Sequence, residues 1–140
     1  GQGINVFLDQ PDGIRLTGAR TLARDARWRQ LSVRRLMLML RRSLARRLQW
    51  VVFEPNTPAL RRELTRMLTA FLRLLHQQGA FAGATEAEAF FVRCDDALNP
   101  PQRVDRGELR AEIGVAPAEP IEFIVLTVAR TGDGTLILED

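Results

Sequence analysis

Two segments of this chain carry apolar residues at helical spacing, and they most constrain how the chain folds. In residues 32–49 the apolar side chains fall on one face at about 100° per residue, with Ser32 as the predicted N-cap. In residues 57–78, Thr57 or the residue before it is the predicted cap, and Pro58 suits the first turn. A helix that is apolar on one face must bury that face against another layer. The sequence therefore predicts two main helices packed on further structure.

Short apolar runs supply that further layer. Residues 50–53 (WVVF) and 90–94 (FFVRC) are typical of buried strands, and they lie on either side of the second predicted helix. A strand–helix–strand unit favours a right-handed crossover between parallel strands. We therefore expect both strands in one sheet.

Three further stretches predict strands. Residues 4–8 (INVFL) form a short apolar run, and residues 108–116 alternate between apolar and polar side chains. Residues 121–129 are apolar on both sides in their middle, which predicts a strand covered on both faces. The TGDG turn at 131–134 is expected to bring 135–139 back alongside 121–129. The apolar face of the alternating stretch consists of Leu109, Ala111, Ile113 and Val115.

Together these elements predict an α/β chain of the α+β type, with a mixed β-sheet, two main helices packed on it and extended terminal arms. At 140 residues the chain fits one domain, 1–140. Within it, 1–22 is predicted to be an N-terminal arm or linker, and 121–140 a C-terminal strand or arm. No apolar run approaches the roughly 20 residues that span a bilayer, so no membrane insertion is expected.

All 20 basic residues of the chain are arginine, and many of them lie on the first predicted helix, opposite its apolar face. Three interpretations stay open: a solvated face, a nucleic-acid surface and a contact with an acidic protein. The net charge of +3 and the lack of neighbouring aromatic residues argue against nucleic acid. An apolar residue among the arginines favours a protein contact. The candidate contact residues are Arg34, Arg35, Leu38, Arg41, Arg42 and Arg46.

The sequence gives little support for catalysis by a nucleophile or a zinc ion. Cys94 and His76 are the only cysteine and the only histidine. A zinc site needs three or four such ligands, and a nucleophile needs a partner at a recognisable spacing. We therefore predict no enzymatic activity, no metal and no cofactor.

A carboxylate site is the alternative for an enzyme. Glu54, Asp95 and Asp96 each follow a predicted strand, and ligands of open α/β sheets collect at strand ends. No histidine or lysine converges on them in the sequence. We interpret Glu54 and Asn56 instead as a structural corner between a strand and a helix, where polar groups must satisfy the backbone.

Several stretches, in a fixed order along the chain, resemble one family. They include GIRLTGARTL at 13–22, LQWVVFEPN at 48–56, QGAFAGAT at 78–85, FFVRCD at 90–95 and IGVAPAEPIEF at 113–123. In them the chain resembles the C-terminal domain of the contractile tail sheath proteins of phages, tailocins and related contractile injection systems. The segment after Ala129 runs beyond that family's usual end.

The resemblance implies a structural protein. Sheath subunits polymerise helically around an inner tube, and contraction of the sheath drives the tube through a target envelope. The implied partners are identical sheath subunits, the inner tube protein and baseplate or cap proteins, with no nucleic acid. The implied location is the cytoplasm of the producing bacterium during assembly, and then a phage tail or contractile particle.

The resemblance also implies which parts of the chain make contacts between subunits. The C-terminal domain faces the tube, so the arginine-rich side is a candidate contact with the tube or with an adjacent subunit. Terminal arms of sheath subunits add strands to the sheets of their neighbours. The candidate strand residues are Ile4, Val6, Leu8, Phe123, Val125, Leu136 and Leu138.

Overall fold

The strands among residues 18–140 form one antiparallel sheet in which each strand pairs with its neighbour in sequence. The structure is a computed structural model, and it describes the backbone of residues 18–140 and the side chains from residue 30 onward. The predicted strand at 4–8 lies outside the described residues. The strands are β1 (Phe90–Arg93), β2 (Leu109–Val115), β3 (Ile124–Arg130) and β4 (Leu136–Glu139).

Four helices accompany the sheet in the described part of the chain, and the predicted α/β class with two main helices is confirmed. Two of the helices are long and two are single turns. No helix among residues 18–140 has the length and apolar character needed to cross a membrane. The helices are α1 (Gly18–Arg47), α2 (Pro58–Gln77), α3 (Glu86–Ala89) and α4 (Pro101–Asp105).

The second helix begins where the sequence predicts it. The Thr57 side chain accepts a hydrogen bond from the Leu60 backbone N–H at 3.1 Å, and Pro58 occupies the first helical position. The helix closes at Gly79, whose φ of 85° is a left-handed conformation that glycine adopts without a steric penalty.

The first helix begins earlier than predicted. α1 starts at Gly18, so the assignments of Ser32 as its N-cap and of residues 18–22 to an extended arm are wrong. Between Gly18 and Ser32 the sequence contains no proline or further glycine, and it is rich in alanine and arginine, which favour helices. Nothing therefore stops the helix from extending back through this segment.

The predicted strand at 50–53 is also wrong. Residues Gln49–Val51 form a short 3-10 helix, and a turn follows it. Leu48 and Val51 are buried whereas Phe53 is 89% exposed, so burial continues at helical spacing and does not alternate. Because this segment is not a strand, the expected parallel crossover to β1 is wrong as well, and β1 pairs with β2 in antiparallel orientation.

Both long helices cover the same face of the sheet. α1 contacts β4 and α2 contacts β1, so each helix lies over one half of the sheet. The predicted apolar face of residues 108–116 is confirmed, because all four of its members are buried in β2. The largest fully buried side chains include Leu40, Leu44, Leu48, Leu64, Leu68, Leu72, Ile113 and Leu126.

The last two strands form a hairpin. The predicted turn at 131–134 joins β3 to β4, with Gly134 at a φ of 90°. The expected return of the C-terminal segment onto 121–129 is confirmed. Within the described part of the chain β3 is covered on one face only: Leu126 and Val128 are buried, and Val125 is 40% exposed. The expectation of two covered faces is therefore wrong.

Candidate functional site

Asn56 occupies the corner between α1 and α2 and is buried there. Its side-chain N–H groups donate to Asn99 Oδ1 at 3.1 Å and to the Glu108 carbonyl at 2.8 Å. Its Oδ1 accepts from Arg61 Nη1 at 2.6 Å. The amide therefore joins the start of α2 to the segment before β2 and uses both its donors and its acceptor.

Arg130 braces the same corner from the sheet. Its Nη1 donates to the carbonyls of Val51, at 2.7 Å, and of Glu54, and its Nη2 donates to the carbonyl of Gly107 at 2.8 Å. The residue is 4% exposed, and desolvation lowers the pKa of its guanidinium. Sequence reasoning missed this residue. The period-2 alternation of β3 places it on the face of Leu126 and Val128, and that was the signal available.

The structure does not bring the three candidate carboxylates together. Glu54 lines an open cleft of about 540 Å³ with Asp105 and Asp133. Asp96 lines a different cleft of about 470 Å³ and accepts from Arg61 at 3.0 Å. The side chain of Glu54 is exposed and bonds to no described residue, so this residue serves the corner through its backbone carbonyl.

Asp95, the third carboxylate, is held beside its own strand. It accepts from Arg93 Nε at 2.8 Å, and its other oxygen accepts from the Leu98 backbone N–H at 3.0 Å. These hydrogen bonds, that with Arg93 foremost, keep the pKa of Asp95 below its ordinary value. A carboxylate paired in this way is poorly suited to accept a proton near neutral pH.

Cys94 and His76 likewise lie in separate surroundings. Burial raises the pKa of the Cys94 thiol to about 11, so the thiolate is disfavoured at neutral pH. His76 Nε2 lies 2.9 Å from the Gly83 carbonyl, and its ring packs edge-on against Phe90. Among the described residues no group of three or more potential ligands is placed to hold a metal ion.

Four of the six arginine-side candidates lie along one shallow groove of about 380 Å³ on α1. Arg34 is exposed outside this groove, and Arg41 instead pairs with Asp140 at 3.1 Å. Leu38 and Met39 are 41% and 37% exposed between the arginines; Met39 was not predicted. We call this groove the arginine face; it consists of Arg35, Leu38, Met39, Arg42, Ser43 and Arg46.

The candidate strand residues fall into three places. Ile4, Val6 and Leu8 lie outside the described residues. Phe123 and Val125 are 41% and 40% exposed, and the Phe123 ring packs at right angles on Phe91, with 5.2 Å between centroids.

The other two strand candidates, Leu136 and Leu138, lie in β4 and pack partly against the core. β4 is one edge of the sheet and β1 is the other. Neither strand has a second strand partner among residues 18–140.

Comparisons with known proteins show which proteins this chain is similar to. A family model described as the phage tail sheath C-terminal domain matches residues 23–131. The chain is 32% identical over 124 residues to the tail sheath protein of Enterobacteria phage T4, which covers 88% of the chain and 18% of that protein. It is 30% identical over 120 residues to the tail sheath protein of Vibrio phage KVP40, which covers 85% of the chain and 17% of that protein. The chain thus spans less than a fifth of either relative.

Proposed function

Because this chain belongs to the phage tail sheath family and corresponds to its C-terminal domain, we propose that it works as a lattice-forming module of a contractile sheath. Copies of the protein polymerise helically around an inner tube. Contraction of this lattice drives the tube through a target envelope. The observation that carries the proposal is the family match, which extends over most of the chain.

A mechanical role agrees with how the polar groups of the domain are used. The buried polar side chains at the α1–α2 corner, Asn56 and Arg130, are engaged with backbone carbonyls or other side chains. The candidate carboxylates are dispersed over two clefts and a strand end. This arrangement supports a scaffold and not an enzyme.

Strand exchange is the proposed means by which neighbouring subunits stay connected. The edges β1 and β4 offer backbone groups to which an extended segment of another copy can add a strand. The segment 4–8 is the proposed donor, with Ile4, Val6 and Leu8 on one side. Main-chain hydrogen bonds of this kind tolerate reorientation of the domains that they connect.

The remaining partners follow from the same proposal. The inner tube protein and baseplate or cap proteins contact the assembled lattice. The arginine-rich side of α1 contacts an acidic surface, on the tube or on an adjacent subunit. Assembly takes place in the cytoplasm of the producing bacterium, and the product is part of a phage tail or related contractile particle.

Electron microscopy of the natural gene product, expressed together with the tube protein of the same particle, tests the function. We expect striated sheaths around tubes, in extended or contracted form. Tubes without a sheath, with this protein left as small soluble species, would contradict it.

Val6→Pro tests the donor segment, because proline removes one ladder N–H. Contraction-competent sheaths from that variant would exclude strand exchange through residues 4–8.

A further inference from the structure

Phe53 is an exposed aromatic side chain at the corner between α1 and α2. It is 89% exposed, and Trp50 in the same short segment is 40% exposed. The cleft beside Phe53 is lined by the carboxylates of Glu54, Asp105 and Asp133, all on exposed residues. The cation in this cleft, Arg130, is buried and donates to backbone carbonyls. We call this surface the Phe53 corner; it consists of Phe53, Glu54, Asp105 and Asp133.

The arginine face has the opposite charge and also an apolar centre. Arg35, Arg42 and Arg46 form no ion pair with any side chain from residue 30 onward. Leu38 and Met39 lie exposed between them. Guanidinium groups pair with carboxylates and also stack on aromatic rings. Three arginines around an apolar groove thus match three carboxylates around an exposed phenylalanine.

We infer that the Phe53 corner of one copy of this chain docks on the arginine face of the next copy. Phe53 inserts between Leu38 and Met39. The carboxylates of the corner pair with the arginines that border the groove. This inference rests on the proposed sheath function and names the partner of the arginine face as a second copy, not the tube.

A contact between two different surfaces of one chain is heterologous. The two surfaces share no residue, so one copy can use both of them at once. Repetition of such a contact builds a closed ring if the rotation closes and an open helical array if it does not, whereas an isologous contact stops at a dimer. Open growth is the geometry that a sheath needs.

Two variants of this 140-residue chain test the contact by blocking one surface each. Arg42→Glu with Arg46→Glu blocks the arginine face and leaves the Phe53 corner intact. Phe53→Ser with Glu54→Arg blocks the corner and leaves the face intact. Arg62→Glu with Leu74→Ser is the matched control, because it changes an exposed arginine and an exposed leucine on α2, outside both surfaces.

Sedimentation velocity at concentrations up to about 1 mM supplies the readout, since weak contacts associate in this range. We expect the wild type and the control to form species that grow beyond a dimer with concentration. Each blocked variant alone should remain monomeric, which corresponds to an association weakened by about 30-fold or more. An equimolar mixture of the two should form a heterodimer and nothing larger. Its formation also shows that both variants are folded, and it should weaken as salt rises.

Several results would overturn the inference. They are a wild type that stays monomeric throughout, a mixture that forms no heterodimer, and association that is lost in the arginine-face variant but kept in the corner variant. The natural gene product distinguishes failure here from failure of the proposed function. If the corner variant still builds striated sheaths, the head-to-tail contact is wrong and the sheath function stands.

Discussion

Asn56 and Arg130 hold the α1–α2 corner through groups that are far away in the sequence. Arg130 donates to carbonyls that precede it by 79 and 76 residues, and Asn56 donates to a carbonyl 52 residues after it. A tight corner leaves backbone carbonyls without partners, and buried carbonyls must be paired. These side chains therefore explain how the Glu54-Pro55-Asn56 stretch turns the chain from the end of the 3-10 helix to the start of α2.

Arg130→Met is expected to lower the free energy of unfolding by about 3 kcal/mol, because three carbonyls lose a charged donor. Removal of a desolvated charge offsets part of that loss. Urea denaturation measures the change. Arg62→Met, on an exposed arginine, should stay within about 0.5 kcal/mol of the wild type. An equally small change for Arg130→Met would show that the brace adds nothing to stability.

Cys94 offers a prediction about pH. Burial raises the pKa of its thiol to about 11, whereas the pKa of a thiol in an unfolded chain is about 8.5. Between these two pKa values the folded chain therefore binds more protons than the unfolded chain does. The contribution of Cys94 to stability is complete at pH values below the pKa of the unfolded thiol. That contribution is lost as pH rises towards the pKa of the folded thiol. Iodoacetamide should alkylate the native chain much more slowly at pH 8 than the denatured chain. Equal rates would show that the thiol is not shielded.

Helices with one apolar face and strands with a one-sided pattern were predictable from the sequence, whereas the antiparallel pairing of β1 was not. The cap at Thr57, the burial of Ile113 with its neighbours and the hairpin at 131–134 follow from local rules. The strand prediction for residues 50–53 was wrong because apolar residues of these types favour strands. In the structure the corner between α1 and α2 determines their burial, so that Val51 is buried and Phe53 is exposed. The start of α1 was missed because Ser32 suits a cap as well as an exposed helical position. The arginine face was predicted in part, but the brace by Arg130 depends on contacts that no local rule gives.

The β3–β4 turn can be tested through Gly134. A side chain at its φ of 90° is strained, and an added Cβ would lie 3.3 Å from Val52. Gly134→Ala should therefore destabilise the hairpin by about 1 kcal/mol or more. Hydrogen exchange should show lost protection in β4 first. Gly79→Ala, at a φ of 85° with open space around it, is the matched control and should leave β4 protected. The same loss in both variants would mean that β4 has no separate stability.

At the scale of the whole molecule, the domain presents one covered sheet face, two strand edges and a charged helix side. β4 lies beyond the last residue that the family model matches, and it occupies one of the two edges. Arg41 pairs with Asp140 just after it, so the C-terminal end is also tied to α1. The two strand edges and the arginine-rich side of α1 are the surfaces that we propose for assembly.

Reversal of two exposed arginines tests whether α1 is an assembly surface at all. Arg42→Glu with Arg46→Glu in the natural gene product should impair assembly with the tube, most strongly at low salt, because charge pairing at a rim is screened by ions. The yield of sheathed tubes, counted in micrographs, gives the measurement. Yields equal to the wild type at every salt concentration would show that α1 presents only a solvated face.

A cryo-EM reconstruction of the extended sheath tests the central claim most directly. The account predicts a helical array in which this domain forms the layer next to the tube. It also predicts that an edge of the sheet, at β1 or β4, carries a strand from a neighbouring subunit. A particle in which the domain lies on the outer surface, or in which subunits share no strand, would contradict it.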